Sequence, residues 1–172
     1  MPKRSAIPPG GRALPQTFRR RGSCIALAVA IETIASAHIT LAPPAVADAI
    51  DSLKAAVTAS RAGSSCGPFR SDPVVDRVAE VINKSVNDWL DHTATHAPIE
   101  DPRPGLKELG YRGSKGVFVG GVSKKTDADA IKGALLEGYD KIPDCSYTDL
   151  GVSMRRNEGS GFYLVALVLA GA

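Results

Sequence analysis

The chain has 172 residues, a length that supports one domain of ordinary size. Its apolar fraction of 44% is that of a globular protein and excludes collagen-like and wholly disordered chains. The formal net charge of +3 comes from the first part of the chain, because from Asp48 onward 15 basic residues stand against 17 acidic ones. We therefore predict that nucleic acid is not a partner.

We predict that residues 1–47 form a leader that directs export. Three arginines at 19–21 precede an apolar run over 24–31, and small residues follow as far as Ala47. This is the order of regions in a signal peptide, and cleavage is expected after Ala47 or, as the alternative, after Ala37. Because charged residues interrupt the apolar stretch, no stable membrane span is expected after cleavage. An uncleaved leader that anchors the protein is the rival interpretation.

Two amphipathic helices are predicted to follow. The first begins at Asp48 or Ala49 and ends near Arg61, with a narrow apolar stripe. The second has a stronger start signal, because Asp72 can cap it and Pro73 suits the first helical position, where a missing N–H costs nothing. Apolar residues then recur at helical spacing for about five turns, which predicts a core helix.

Three side chains near the end of this helix are candidates for a function. Trp89, the only tryptophan, falls on the apolar stripe and is interpreted as a packed core residue rather than a ligand platform. His92 and His96 would share one face if the helix continued, as in a two-histidine metal site. However, Pro98 indicates that the helix is ending, and no Glu follows His92 as in the H-E-x-x-H motif.

The middle of the mature chain predicts a strand and a helix. An apolar strand bounded by glycines is expected over 116–122, and its glycines do not have the spacing of a nucleotide-binding loop. Thr126 with Asp129 resembles a capping box for a helix over 127–139.

The last quarter of the chain predicts a hairpin. Apolar residues alternate with others from Leu150 to Arg155, the pattern of a strand with one buried face. A polar, glycine-bearing connection over 157–161 leads to an almost continuous apolar run over 162–169, which is typical of a strand covered on both faces. Such a strand needs elements on each side of its sheet, and the amphipathic helices are the candidates. The fold class is therefore predicted to be α/β.

The cysteines agree with export. Without the leader, Cys66 and Cys145 are the only cysteines, and an even count in an exported chain indicates a disulfide. Two unrelated thiols are the alternative. A bridge that closes a loop of about 80 residues would stabilise the domain by roughly 4 to 5 kcal/mol.

Three short motifs occur in a characteristic order. The pair Asp72-Pro73 opens the second helix, 106–111 reads L-K-E-L-G-Y, and 147–152 reads Y-T-D-L-G-V. In this order they resemble the CAP superfamily, the cysteine-rich secretory, antigen 5 and pathogenesis-related proteins, and specifically a degenerate bacterial secreted member. The resemblance implies a CAP-like domain over 48–172, folded as a three-layered α/β/α sandwich with a small, mainly antiparallel sheet that ends in a C-terminal hairpin.

The resemblance also implies a central cleft, where the family often places two histidines and two glutamates that can bind a divalent metal. His96 matches the first histidine and Glu137 one of the acids. The other two positions fall at Lys115 or Gly116 and at Phe162, so two of four donors are lost. Because a divalent ion needs several anionic or neutral donors, we predict no metal and no cofactor.

The leading interpretation is a secreted or cell-envelope CAP-like domain without catalytic activity. The resemblance implies a small apolar or lipid ligand, or a protein partner, and Phe162 in place of a histidine makes the cleft more apolar. One alternative is a hydrolase with His96 as general base and Glu137 orienting it, for which no nucleophile can be named. The other is a structural envelope protein held by its leader.

Overall fold

The computed structural model describes residues 44–172, so the leader prediction up to residue 43 lies outside the described residues. No helix within this part of the chain is long and apolar enough to cross a membrane. The elements in chain order are α1 Pro44–Ala62, β1 Arg70–Ser71, α2 Pro73–Leu90, α3 Arg103–Glu108, β2 Lys115–Ser123, α4 Asp127–Glu137, β3 Asp149–Arg156 and β4 Tyr163–Gly171.

Helix α1 begins before the start that the sequence pattern predicts. It starts at Pro44, where proline suits the first turn, rather than at Asp48 or Ala49. Cleavage after Ala47 would therefore fall inside α1, but it would retain the part of the helix that carries the buried Leu53.

The four strands form one sheet in the order β1-β3-β4-β2. β3 and β4 form the predicted antiparallel hairpin, β2 pairs antiparallel with the other side of β4, and β1 adds two residues parallel to β3. Since β4 lies inside the sheet, its residues from Leu164 to Gly171 are buried.

Helices cover both faces of the sheet, which confirms the prediction of an α/β fold with three layers. α1 and α4 pack on one face, where they contact β3 and β4 through a core cluster centred on Leu53, Val57, Ile131, Val152 and Leu167. α2 and α3 pack on the other face through a second cluster that includes Val75, Val78, Ile82, Leu106 and Val168.

A disulfide joins Cys66 to Cys145, as predicted, and ties the loop after α1 to the loop before β3. The buried guanidinium of Arg61 crosses between the same two loops. It donates to the backbone oxygen of Gly67 at 3.0 Å, and to those of Ile142 at 2.7 Å and Tyr147 at 2.8 Å. The disulfide and the hydrogen bonds of Arg61 together fix the position of the loop that leads into β3.

The interpretation of Trp89 as a core residue is wrong, because its side chain is 50% exposed. At the end of α2, Asn87 and Asp91, the residue that follows the helix, face the β3–β4 connection, where both accept hydrogen bonds from Asn157. Trp89 lies two residues from Asn87, about 200° round the helix, and therefore points away from the sheet.

Candidate functional site

A groove on the sheet near the end of β2 is the candidate site. In the register of β2 and β4, Gly120 lies opposite Ala166 and Val122 opposite Leu164. Because side chains alternate along a strand, these positions and Phe118 share the face on which α2 packs. Their side chains and backbone form the floor of the groove.

The groove exists because the helices cover only part of this face. α3 has six residues and packs at the beginning of β2, where Leu106 lies against Gly116. α2 packs over β3 and β4 and forms one wall with Asn83 and Val86. The second half of β2 stays open, with Val122 54% exposed. The space that results has a volume of about 390 Å³.

Two polar side chains line the groove, and both make hydrogen bonds within the fold. Nδ2 of the buried Asn83 donates to Oγ of Ser153 at 3.1 Å and to the backbone oxygen of Leu164 at 3.3 Å. The backbone N–H of Gly120 donates to Oε1 of Glu137 at 3.2 Å. The rest of the lining is aliphatic, aromatic or glycine, a composition suited to an apolar ligand with few polar contacts.

A lysine and an aromatic ring lie immediately beyond one end of this groove. Ser123 is the last residue of β2 and pairs with Tyr163, so Lys124 and Phe162 occupy the next positions of the two chains. The Nζ atom of Lys124 lies 4.7 Å from the centre of the Phe162 ring, a cation–π contact.

The structure separates the four residues that the family resemblance assigns to one cleft. Glu137 lines the groove, and Phe162 lies outside the lining, two residues before Leu164 along the chain. Lys115 is at the opposite end of β2, paired with Gly171, roughly 27 Å from the end of the strand next to Phe162. His96 is exposed in the loop between α2 and α3, with Nδ1 2.6 Å from Oγ1 of Thr95.

Sequence reasoning missed most of the groove. Gly120 and Val122 lie inside the predicted strand, and their period of two with Phe118 places them on one face. Which part of that face stays uncovered depends on where the short helix α3 packs along β2, and this contact leaves no pattern in the sequence. Among residues 44–172, no group of three or more His, Cys, Asp or Glu side chains is placed to hold a metal ion.

A second cavity, of about 600 Å³, lies near the beginning of α2 and is lined by Arg70, Tyr111 and Asp149 among others. Asp149 is buried, and it accepts hydrogen bonds from Nε and Nη2 of Arg70 at 2.9 Å and from the Tyr111 hydroxyl at 2.7 Å. The hydroxyl of Thr148 donates to it at 2.8 Å. With these donors its carboxylate is fully occupied, so the cluster acts as a structural contact between β1, β3 and the loop after α3.

The ionisation of this cluster follows from its contacts. Burial opposes the charged form of Asp149, but hydrogen bonds from Arg70, Tyr111 and Thr148 outweigh it and hold the pKa of Asp149 below its ordinary value. Burial, followed by the hydrogen bond to Asp149, raises the pKa of Tyr111. Asp149 is therefore a charged acceptor and Tyr111 a neutral donor at neutral pH.

No protein-family model and no curated protein matches the sequence. Solved structures do match the fold. An outer surface protein from Borrelia burgdorferi has a TM-score of 0.56 at 8% identity, with 72% of this chain and 92% of that chain covered. A cysteine-rich secretory protein from Staphylococcus aureus has a TM-score of 0.54 at 12% identity, with 74% of this chain and 40% of that chain covered.

An extracellular protein containing an SCP domain from Bacillus anthracis has a TM-score of 0.52 at 14% identity, with 77% of this chain and 44% of that chain covered. This chain thus spans less than half the length of the last two proteins. At such identities the likeness concerns the fold alone. The three-layered sandwich, the terminal hairpin and these matches together show that residues 44–172 have the fold of these cysteine-rich secretory and SCP-domain proteins.

Proposed function

We propose that this domain is an exported binding module that holds an apolar ligand in the groove over β2 and β4 and has no catalytic activity. The observation that carries the proposal is the groove itself, an open space of about 390 Å³ whose lining is apolar except for Asn83 and Glu137. Pockets for small ligands have this composition, in which apolar surface supplies most of the affinity.

Two further features support export. The disulfide between Cys66 and Cys145 is of a kind that persists in oxidising compartments. Two proteins of similar fold are described as secretory or extracellular. Secretion, or retention at the cell envelope, agrees with the leader that residues 1–47 predict.

The arrangement of the predicted catalytic pair supports a role without catalysis. A general base and the group that orients it must lie within hydrogen-bond reach of each other. Glu137 instead accepts from the backbone of β2, and the groove that it lines is not lined by His96. The neighbour of the His96 ring is the hydroxyl of Thr95.

Calorimetric titration of the full chain with decanol, a neutral apolar probe, tests the proposal. We expect saturable binding that Val122→Asp weakens at least tenfold. The introduced carboxylate would lose its hydration when the alkyl chain of the probe covers it, and this loss costs free energy. Leu136→Asp is the matched control, since Leu136 is 64% exposed on α4 and does not line the groove. Absence of saturable binding, or equal weakening by both variants, would contradict the proposed function.

A further inference from the structure

The outer edge of β3 is open along its second half. β1 pairs only with Asp149 and Leu150, whereas β3 continues to Arg156. The backbone N–H of Val152 points away from β4, since it donates to Oδ1 of Asp76 at 2.9 Å. This contact closes the edge at Val152, and the edge beyond it has neither a strand nor a carboxylate against it among residues 44–172.

The backbone of Met154 faces outward in the same way as that of Val152. Along an antiparallel pair, the N–H and C=O groups of successive residues point alternately toward the partner strand and away from it. Those of Met154, two residues after Val152, therefore also point away from β4. Within the described residues neither group has a hydrogen-bond partner in a loop or a side chain. Such a pair of free groups is a template for another strand.

A cavity of about 240 Å³ lies against this edge. Its lining includes four consecutive residues of β3, from Val152 to Arg155, whose side chains alternate between the two faces of the sheet. Ile50 of α1 lines it from one face, and Val81 of α2, which is 40% exposed, lines it from the other. A space that is bordered from both faces lies beside the strand. We call it the edge slot, with α1 and α2 as its walls.

The side of the edge slot that α1 forms is apolar. Met154 points to this face, where it packs against the same core cluster as Ile50, and both side chains are half-buried. A side chain added next to them would cover apolar surface that is now in contact with water.

The side that α2 forms carries positive charge. Arg77, Lys84 and Arg155 line it against a single acid, Glu80. Arg77 pairs with Glu80 at 2.7 Å, and Lys84 pairs with Asp88. Arg155 is exposed and forms no ion pair within the described part of the chain. Its guanidinium is therefore free to bind a carboxylate.

We infer that the edge slot is a docking site for an extended peptide segment of a partner protein, which adds as a strand beside residues 153–156. Successive side chains of an added strand lie on opposite faces. The segment therefore carries an apolar residue beside Met154 and Ile50, and an adjacent acidic residue beside Arg155. Backbone hydrogen bonds to Met154 hold the segment, and the two side chains select it. The slot lies at the opposite edge of the sheet from β2, so this inference is independent of the groove.

The test uses two blocked peptides of eight residues with the full chain in low salt. The centre of one reads Glu-Val-Glu-Val and that of the other Lys-Val-Lys-Val, each flanked by serine and threonine. Calorimetric titration should show saturable binding of the glutamate peptide, with an affinity about tenfold higher than that of the lysine peptide. Arg155→Glu should reverse this preference. Arg112→Glu is the control and should retain it, because Arg112 is exposed and outside the slot.

Amide hydrogen exchange of the wild type shows where the peptide binds. The N–H groups of Met154 and Val122 are a matched pair, since each faces outward at one edge of the sheet. Saturation with the glutamate peptide should slow exchange at Met154 about tenfold and leave Val122 unchanged.

Three results would overturn the inference. The first is absence of saturable binding of the glutamate peptide. The second is an unchanged exchange rate at Met154, or slowing at Val122 instead, which would place the peptide at the edge of β2. The third is an equal effect of Arg155→Glu and Arg112→Glu on the preference, which would mean that the total charge of the protein attracts the peptide.

Discussion

Asp149 shows how one buried side chain can make the stability of this domain depend on pH in two separate ranges. Its charge is held by Arg70, Thr148 and Tyr111, and the Tyr111 hydroxyl can donate to it only while neutral. The folded state therefore prefers an ionised carboxylate and a protonated phenol. Each preference is linked to the free energy of unfolding with its own sign.

At acidic pH we expect the free energy of unfolding to fall through the protonation of Asp149. Because its folded pKa lies below its unfolded value, its contribution is complete above about pH 4 and is lost as pH falls through the folded pKa. Urea unfolding across this range should show a shallower acid slope in Asp149→Asn than in the wild type. Asp140→Asn is the control: its pKa is also lowered, by Lys141, but the pair is exposed and should contribute little. Equal slopes in the wild type and Asp149→Asn would contradict this account.

At alkaline pH, the free energy of unfolding changes with pH in the opposite direction. The pKa of Tyr111 is raised in the folded state, so its contribution is complete below about pH 10 and is lost as pH rises toward the folded pKa. Tyr111→Phe removes the titrating hydroxyl, and its alkaline slope should be correspondingly smaller in the same experiment.

Among the elements, α2 lies very close to β3, and the approach depends on a glycine. A Cβ atom on Gly151 of β3 would overlap the backbone carbonyl of Val75 in the first turn of α2. Next to this contact, Oδ1 of Asp76 accepts from the backbone N–H of Val152 at 2.9 Å. The backbone of the helix, and not a flexible side chain, sets the distance between the two elements.

We therefore predict that Gly151→Ala lowers the free energy of unfolding by roughly 3 kcal/mol, since α2 would have to move away from β3 as a unit. Gly67→Ala offers the comparison, because nothing lies within 4 Å of the Cβ that it would add. Its effect should stay within about 0.5 kcal/mol. Chemical denaturation of both variants measures the difference, and a Gly151→Ala protein as stable as Gly67→Ala would show that the interface is not rigid.

Asp76 and Glu137 also solve the same problem at the two edges of the sheet. β1 pairs only with Asp149 and Leu150, so β3 is an edge strand at Val152, as β2 is at Gly120. The backbone N–H groups of Val152 and Gly120 point away from β4, and each donates to a carboxylate from an adjoining helix. Unpaired edge donors attract other strands, so these contacts protect both edges. Glu137 thus has a structural use in addition to its place in the groove.

Elements with local signals could be predicted, and contacts between distant elements could not. Asp72 caps α2 through the N–H groups of Val74 and Val75, as its position before Pro73 indicates, and the hairpin follows from its alternation. The exposure of Trp89 depends instead on which face of α2 contacts the β3–β4 connection, and the separation of Lys115 from Phe162 depends on the β2–β4 register. Neither of these contacts between distant elements produces a periodic pattern in the sequence.

At the scale of the whole molecule, two ties hold the loops that flank the sheet. The disulfide joins residues 79 apart in sequence, and Arg61 reaches the backbone of the same loops from the end of α1. Its guanidinium is buried, and this burial lowers the pKa of Arg61 although Asp144 opposes the change. The domain therefore uses a covalent and a hydrogen-bonded contact at one place.

The two ties should stabilise the fold by different physical routes. In the chain-entropy account, the bridge acts on the unfolded chain, and replacing both Cys66 and Cys145 with serine should cost roughly 4 to 5 kcal/mol. Arg61→Ala acts on the folded state, where it leaves buried carbonyl groups without donors, and should cost about 3 kcal/mol. Urea unfolding of the wild type, of these two variants and of the variant that combines all three substitutions completes a double-mutant cycle.

Because one change acts on the unfolded ensemble and the other on the native contacts, we expect the two losses to add within about 0.5 kcal/mol even though the ties are neighbours. Arg112→Ala, an exposed arginine outside these loops, provides the control for the loss of a positive charge. A coupling energy well above that limit would contradict the entropic account. It would mean instead that the bridge works in the folded protein, by keeping the loop carbonyls where the Arg61 guanidinium can reach them.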